Sequence, residues 1–217
     1  MSGLAWKRAV DLALALPVAL VALPVMLVIA LAVKLDSPGP VLFRQTRLGR
    51  DRRPFTILKV RTMQHRDAAA IDQVRERVLV EGRDPRITRV GRMLRATSLD
   101  EVPQVWNVLR GDMSLVGPRP VLPEQLRAIP RRYFARFDVA PGVTGLAQVR
   151  GRRSLDWLAV LAADAEYARA PTLMGDIAIL ARTLLVVLRR EGIYGGEGEN
   201  WRTYLARVEG DGQGSEP

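Results

Sequence analysis

The sequence predicts an α+β protein, mainly helical, in which an N-terminal re-entrant membrane helix leads into one cytoplasmic domain with a short β-hairpin and interfacial amphipathic helices. Three observations carry this. Residues 12–33 form an apolar run without a single charge, which as a helix spans roughly 33 Å, about the thickness of a bilayer core. Two β-prone runs, 41–43 and 55–58, flank a polar turn at 48–54 and read as a hairpin. The rest is helical segments divided by Pro- and Gly-rich turns. The expected divisions are 1–36 for the membrane segment, 37–208 for the main domain and 209–217 for a disordered polar tail.

The apolar run is too long for a cleavable leader, and the charged residues after it offer no small-residue cleavage site. Pro17 and Pro24 lie inside it, where each removes a helix bond. Its flanks are basic on both sides, with Lys7 and Arg8 before and Lys34, Arg44, Arg47, Arg50, Arg52 and Arg53 after. The positive-inside rule places both flanks in the cytoplasm, so a helix broken near Pro24 that enters and leaves one leaflet fits. A straight span stays open, because spanning helices tolerate proline.

Asp36-Ser37-Pro38-Gly39-Pro40 ends this segment, and the hairpin then delivers Lys59 and Arg61. An exposed or interfacial helix is expected at 67–80, a turn at 82–85, and a helix at 87–96 with Ile87, Val90, Met93 and Leu94 on its apolar side. Further helical stretches are predicted at 123–128, 131–137, 155–168 and 176–188, the last as a core helix or an amphipathic helix lying on the membrane surface. Gly142 and Gly145 mark a loop at 140–145 whose backbone could approach a ligand closely. A short strand or turn is expected at 148–151.

Composition narrows the chemistry. Net charge is +10, from 33 Lys and Arg against 23 Asp and Glu. Lys7, Lys34 and Lys59 are the only lysines, so arginine supplies the basicity; it grips phosphate bidentately and also suits anionic lipid headgroups. There is no cysteine, which excludes disulfides, thiolate nucleophiles and cysteine-ligated zinc. The lone histidine, His65, sits in the polar run Gln64-His65-Arg66-Asp67 and reads as a solvated loop residue, without a nucleophile elbow to serve. Carboxylates, arginines, lysines and a metal ion remain.

The stretch 97–120 gathers these groups. Pro103 predicts a helix at 104–109, and Arg110-Gly111 ends it. Asp100 and Glu101 then fall at that helix's N-terminus, where the dipole favours charge. Ser98-Leu99-Asp100-Glu101 also matches a capping box, in which Glu101 only ties off its own helix. The arginines around it, Arg83, Arg86, Arg89, Arg92, Arg95, Arg110 and Arg119, favour a metal ion held with a phosphorylated ligand.

Asp84-Pro85-Arg86-Ile87-Thr88-Arg89-Val90-Gly91, Ser98-Leu99-Asp100-Glu101-Val102-Pro103-Gln104 and the run from Trp106 through Asn107-Val108-Leu109-Arg110-Gly111-Asp112-Met113-Ser114-Leu115-Val116-Gly117-Pro118-Arg119 to Pro120 resemble the bacterial sugar transferases, monotopic polyprenyl-phosphate phosphoglycosyltransferases. Lys59-Val60-Arg61-Thr62-Met63 and Pro141-Gly142-Val143-Thr144-Gly145 match as well. The resemblance runs from about residue 7 to about residue 194, and several long motifs in order make it specific.

The resemblance implies that a sugar 1-phosphate passes from a UDP-sugar to a polyprenyl phosphate, usually undecaprenyl phosphate, with release of UMP. It implies Asp100 as nucleophile, a covalent phosphosugar intermediate and Mg2+ at Asp100 and Glu101, with Glu101 holding the metal or positioning the acceptor. It assigns Lys59, Arg61, Arg95 and Arg119 to the phosphates, with Glu124 and Asp164 as further acidic positions near the site. It also implies the cytoplasmic face of the inner membrane, the lipid bilayer as partner and no nucleic acid; homodimerisation stays open.

Two departures stand out. Leu23 precedes Pro24 where the family often has Ser, and Ala140 stands where many members have Arg, with Arg136 or Arg150 as the candidate substitutes. Larger relatives carry an extra N-terminal bundle and a sugar-binding region that this sequence lacks, which predicts the small catalytic form. The rival readings are a metal-dependent polyprenyl phosphate phosphatase and a membrane-tethered nucleic-acid-binding protein. The first leaves the motifs unexplained, and the second lacks basic residues interleaved with aromatics.

Overall fold

The computed structural model describes residues 5–66, 84–151, 155–188 and 199–210. The helix expected at 67–80 and the tail from 211 onward lie outside the described residues.

Helix α1, Ala5–Asp36, is a single element that contains both Pro17 and Pro24. It begins well before the apolar run because its polar first turns find partners in the domain. Lys7 Nζ donates to Asp176 Oδ2 at 2.5 Å, and Asp11 Oδ1 accepts from Ser114 Oγ at 3.0 Å and Leu115 N at 2.9 Å. Arg8 donates to the carbonyls of Val108 and Leu109. Ala15, Ile29 and Val33 are buried against the same domain, whereas Leu20, Val21, Leu23, Leu27 and Val28 between them are exposed. That apolar surface suits lipid, and α1 is long and apolar enough to cross a membrane. Arg61 closes its C-terminal end by donating to the carbonyls of Ser37, at 2.8 Å, and Pro38.

Strands β1, Leu42–Leu48, and β2, Pro54–Val60, form the expected hairpin, antiparallel with Leu42 opposite Val60 and Leu48 opposite Pro54. Strand β1 runs further than its apolar residues suggest. Its polar half, Arg44 to Arg47, pairs fully with β2, and backbone pairing does not need apolar side chains.

Helix α2, Arg89–Thr97, starts at Thr88, whose hydroxyl accepts from Gly91 N at 2.9 Å. Of its predicted apolar side, Leu94 is fully buried against Ile29, Val33 and Val60, while Met93 is exposed. Helix α3, Gln104–Arg110, ends at Gly111 with φ 91°, a left-handed cap that glycine adopts without steric cost. Asn107, within α3, is fully buried and accepts from Leu58 N at 3.0 Å while donating to Thr56 O at 2.7 Å. This one side chain thus docks α3 against β2.

Strands β3, Ser114–Val116, and β4, Gly142–Thr144, pair in parallel. Sequence reasoning expected the glycines at 142 and 145 to admit a ligand. They admit the chain itself instead: a Cβ at Gly142 would lie 2.1 Å from Gly117 N, and one at Gly145 2.1 Å from Gly117 O. The stretch expected as strand or turn at 148–151 lies largely in a helix, α4, Leu146–Arg150. The helical stretches expected at 123–128 and 131–137 are 3-10 turns. Helices α5, Trp157–Arg169, and α6, Leu173–Leu188, agree with expectation. Helix α7, Trp201–Gly210, was not foreseen and takes in the first residues of the expected tail. Its Trp201 and Leu205 are buried with Trp157, Leu161 and Phe137. Helix α6 buries Asp176 and Ile179 and exposes Leu173, Met174, Ile177, Leu184 and Leu185.

Candidate active site

Helix α2 stops abruptly. Ser98 takes a left-handed conformation, φ 58°, and the chain turns at once into a 3-10 turn at Leu99–Glu101. A serine in that region is uncommon; here it lets the two carboxylates leave the helix direction. The expected capping box does not form, since Ser98 makes no side-chain cap bond. Nor do the carboxylates sit on the first turn of α3, which begins three residues later at Gln104.

Glu101 faces two cations. Its Oε1 accepts from Lys59 Nζ at 2.7 Å and from Arg119 Nη2 at 3.0 Å. Burial pushes its carboxyl up, but the charges of Lys59 and Arg119 outweigh that and hold it well below the usual range. Asp100 makes no side-chain hydrogen bond or ion pair with any described residue. Burial, then the charge of Glu101, raises its carboxyl, against the pull of Lys59, Arg95 and Arg119. Two adjacent carboxylates are thereby split: one neutralised by cations, the other left without a partner.

Both line a cleft of about 620 Å³. Lys59, Arg61, Arg95 and Arg119 line it too, so six of the eight residues expected at the site meet there. Arg95 Nε donates to Thr62 Oγ1 at 2.8 Å, and the Arg61 guanidinium is spent on the end of α1. His65 lies on the cleft wall and is exposed, as a loop histidine should be.

Glu124 and Asp164 do not line the cleft. Asp164 is buried behind Arg119, where Arg136 donates to its Oδ2 at 2.8 Å and to the Arg119 carbonyl at 2.7 Å. It therefore positions the turn that carries Arg119. Of the two arginines considered as substitutes at Ala140, Arg136 is held in this pair, and Arg150 forks onto exposed Glu166 at 2.6 and 2.7 Å; neither lines the cleft. Sequence reasoning missed Arg47, which does line it. Alternation along β1, which puts residues 43, 45 and 47 on one face, would have found it.

A match to the bacterial sugar transferase family model covers residues 2–190. The chain belongs to the bacterial sugar transferase family. As a member it is a transferase. A Caulobacter vibrioides UDP-glucose:undecaprenyl-phosphate glucose-1-phosphate transferase is 45% identical over 197 residues, covering 87% of this chain and 72% of that protein. A Salmonella typhimurium undecaprenyl-phosphate galactose phosphotransferase is 39% identical over 202 residues, 87% of this chain and 41% of that one. A Rhizobium leguminosarum exopolysaccharide production protein is 40% identical over 198 residues, 85% of this chain and 96% of that protein. The transferase thus spans most of some relatives and less than half of others.

Proposed function

We propose that this transferase moves a sugar 1-phosphate from a UDP-sugar to undecaprenyl phosphate, releasing UMP, as a membrane step in glycan or exopolysaccharide assembly. One observation carries the reading: Asp100, a carboxylate without a partner among the described residues, stands in a cationic cleft beside a carboxylate already held by Lys59 and Arg119. The named relatives support the substrate class.

A carboxylate oxygen of Asp100 attacks the β-phosphorus of the donor. An O–P bond forms, the phosphoanhydride bond breaks, and its electron pair leaves on UMP. An oxygen of the polyprenyl phosphate then attacks the same phosphorus and returns the Asp100 carboxylate. Splitting the transfer in two lets a weak nucleophile serve. Lys59, Arg95 and Arg119 offset the repulsion between that carboxylate and the anionic diphosphate. Two adjacent carboxylates, one of them free, fit Mg2+, which needs only one or two when substrate phosphates complete its shell; Asp100 and Glu101 would hold it. When bound, the ion neutralises charge on the phosphates.

The membrane placement belongs to the same reading. Both ends of α1 dock on the one domain, at Lys7–Ala15 and at Ile29–Val33, while its exposed middle carries Pro24. This favours a helix that enters and leaves the cytoplasmic leaflet, with the apolar outer face of α6 lying on the lipid surface. The cleft then opens where a soluble donor and a lipid acceptor meet.

Intact-mass measurement of the protein with UDP-sugar alone tests the central step. The expected result is a mass increase equal to one sugar phosphate with release of UMP, lost in Asp100→Asn. UMP release that requires both substrates at once, with no adduct, would falsify the two-step route.

A further inference from the structure

The geometry points to Arg47 as a phosphate-binding residue of this cleft, a role that rests on reading the cleft as a site for phosphorylated substrates. Phe43, Gln45 and Arg47 share one face of β1 and line the cleft, with Lys59 paired opposite Phe43. Arg47 is fixed there by neutral groups. Its Nη2 donates to Gln45 Oε1 at 2.6 Å and its Nη1 to the Pro120 carbonyl at 3.3 Å, beside Arg119.

Its charge, by contrast, is unanswered. Glu101 and Glu124 are close enough to be felt, yet neither forms an ion pair with it, and Arg47 Nε is buried without any hydrogen-bond partner. Burial and the neighbouring charge of Arg119 lower its pKa to about 10. Glu101 is meanwhile shared by Lys59 and Arg119. The wall thus holds three cations, Arg47, Lys59 and Arg119, with two carboxylates, Glu101, which is ion-paired, and Asp100, which pairs with none of them. Lys59 is 18% and Arg119 45% exposed, so water screens part of this charge, and an anion entering the cleft neutralises the rest. A phosphate oxygen bound by the remaining Nη protons of Arg47 supplies a counter-charge that its neutral partners do not. The donor diphosphate and the acceptor phosphate share this chemistry.

The test compares wild type, Arg47→Gln, Arg47→Lys and Arg50→Gln as full chains in lipid nanodiscs. Arg50 is an exposed turn residue and controls for loss of one positive charge. UDP, which carries the diphosphate without a sugar to transfer, is titrated by calorimetry, and KM is measured for UDP-sugar and for undecaprenyl phosphate. Arg47→Gln is expected to raise one KM about tenfold or more, the scale of one charge-assisted hydrogen bond. Arg47→Lys recovers part of the loss, and Arg50→Gln changes nothing. A raised donor KM with weakened UDP binding assigns the diphosphate; a raised acceptor KM with UDP binding intact assigns the lipid phosphate. Unchanged KM values and UDP affinity in Arg47→Gln overturn the proposal, as does a fall in melting temperature or kcat alone, which marks a structural prop. Should Arg47→Gln fail to fold, Arg47→Lys carries the same readouts, since losing the guanidinium still weakens the bound phosphate. If wild type turns over no UDP-sugar, the transferase reading fails, while the UDP titration still tests Arg47.

Discussion

Arg136 and Asp164 form an ion pair at 2.8 Å with side chains 2% and 0% exposed, and the same Arg136 guanidinium donates to the carbonyl of Arg119. A pair hidden from water links the protein interior to a cation that faces the cleft.

Breaking it from one side leaves a buried charge alone. Asp164→Asn is expected to cost about 3 kcal/mol of stability and to lower activity, because the turn bearing Arg119 loosens. Replacing both partners, Arg136→Met with Asp164→Leu, is expected to recover much of the stability and little of the activity. Thermal unfolding in detergent alongside UMP release checks this; full recovery of turnover in the double variant would show that Arg119 needs no such support.

Asp100 carries a stability cost. Its carboxyl is raised by burial and by Glu101. Between the ordinary carboxyl pKa and the raised one, the native state keeps a proton that the unfolded chain has lost. Stability therefore falls as pH rises through that window and stays reduced above it. With chelator present, Asp100→Asn is expected to melt at a higher temperature than wild type at neutral pH, while UMP release falls by more than about a thousandfold. An equal or lower melting temperature would contradict the burial of an unpartnered charge.

The β3–β4 pair leaves no space for a side chain at Gly142, where a Cβ would lie 2.1 Å from Gly117 N. Gly142→Ala is expected to destabilise the fold by about 1–3 kcal/mol and to disturb Arg119, two residues beyond Gly117. Melting curves together with KM for the donor read both effects, and a neutral substitution would mean that the strands separate freely.

The absence of cysteine makes topology simple to test. Single cysteines at Ser2→Cys and Arg50→Cys are expected to react with an impermeant maleimide from the same side of sealed vesicles. Labelling from opposite faces would establish a straight span.

The apolar run, the hairpin, the helices at 104–109 and 155–168 and the acidic pair among arginines were all legible in the residue order. Each follows from local periodicity, from proline and glycine chemistry, or from motif resemblance. The partners of those residues were not. Ser98-Leu99-Asp100-Glu101 matches a capping box, and only the folded chain brings Lys59 and Arg119 close enough to claim Glu101 and prevent one. Glycines 142 and 145 announced a close approach, read from the sequence as room for a ligand, and what approaches is Gly117. Arg61, expected at phosphate, lines the cleft and also closes α1, a tie that residue order did not reveal. Local sequence determines which elements form and which chemical groups they carry, because backbone preference and periodicity act over a few residues. The tertiary structure alone decides which charges neutralise one another, because Lys59, Glu101 and Arg119 are far apart along the chain and adjacent only in space. That is why Asp100 is left without a partner.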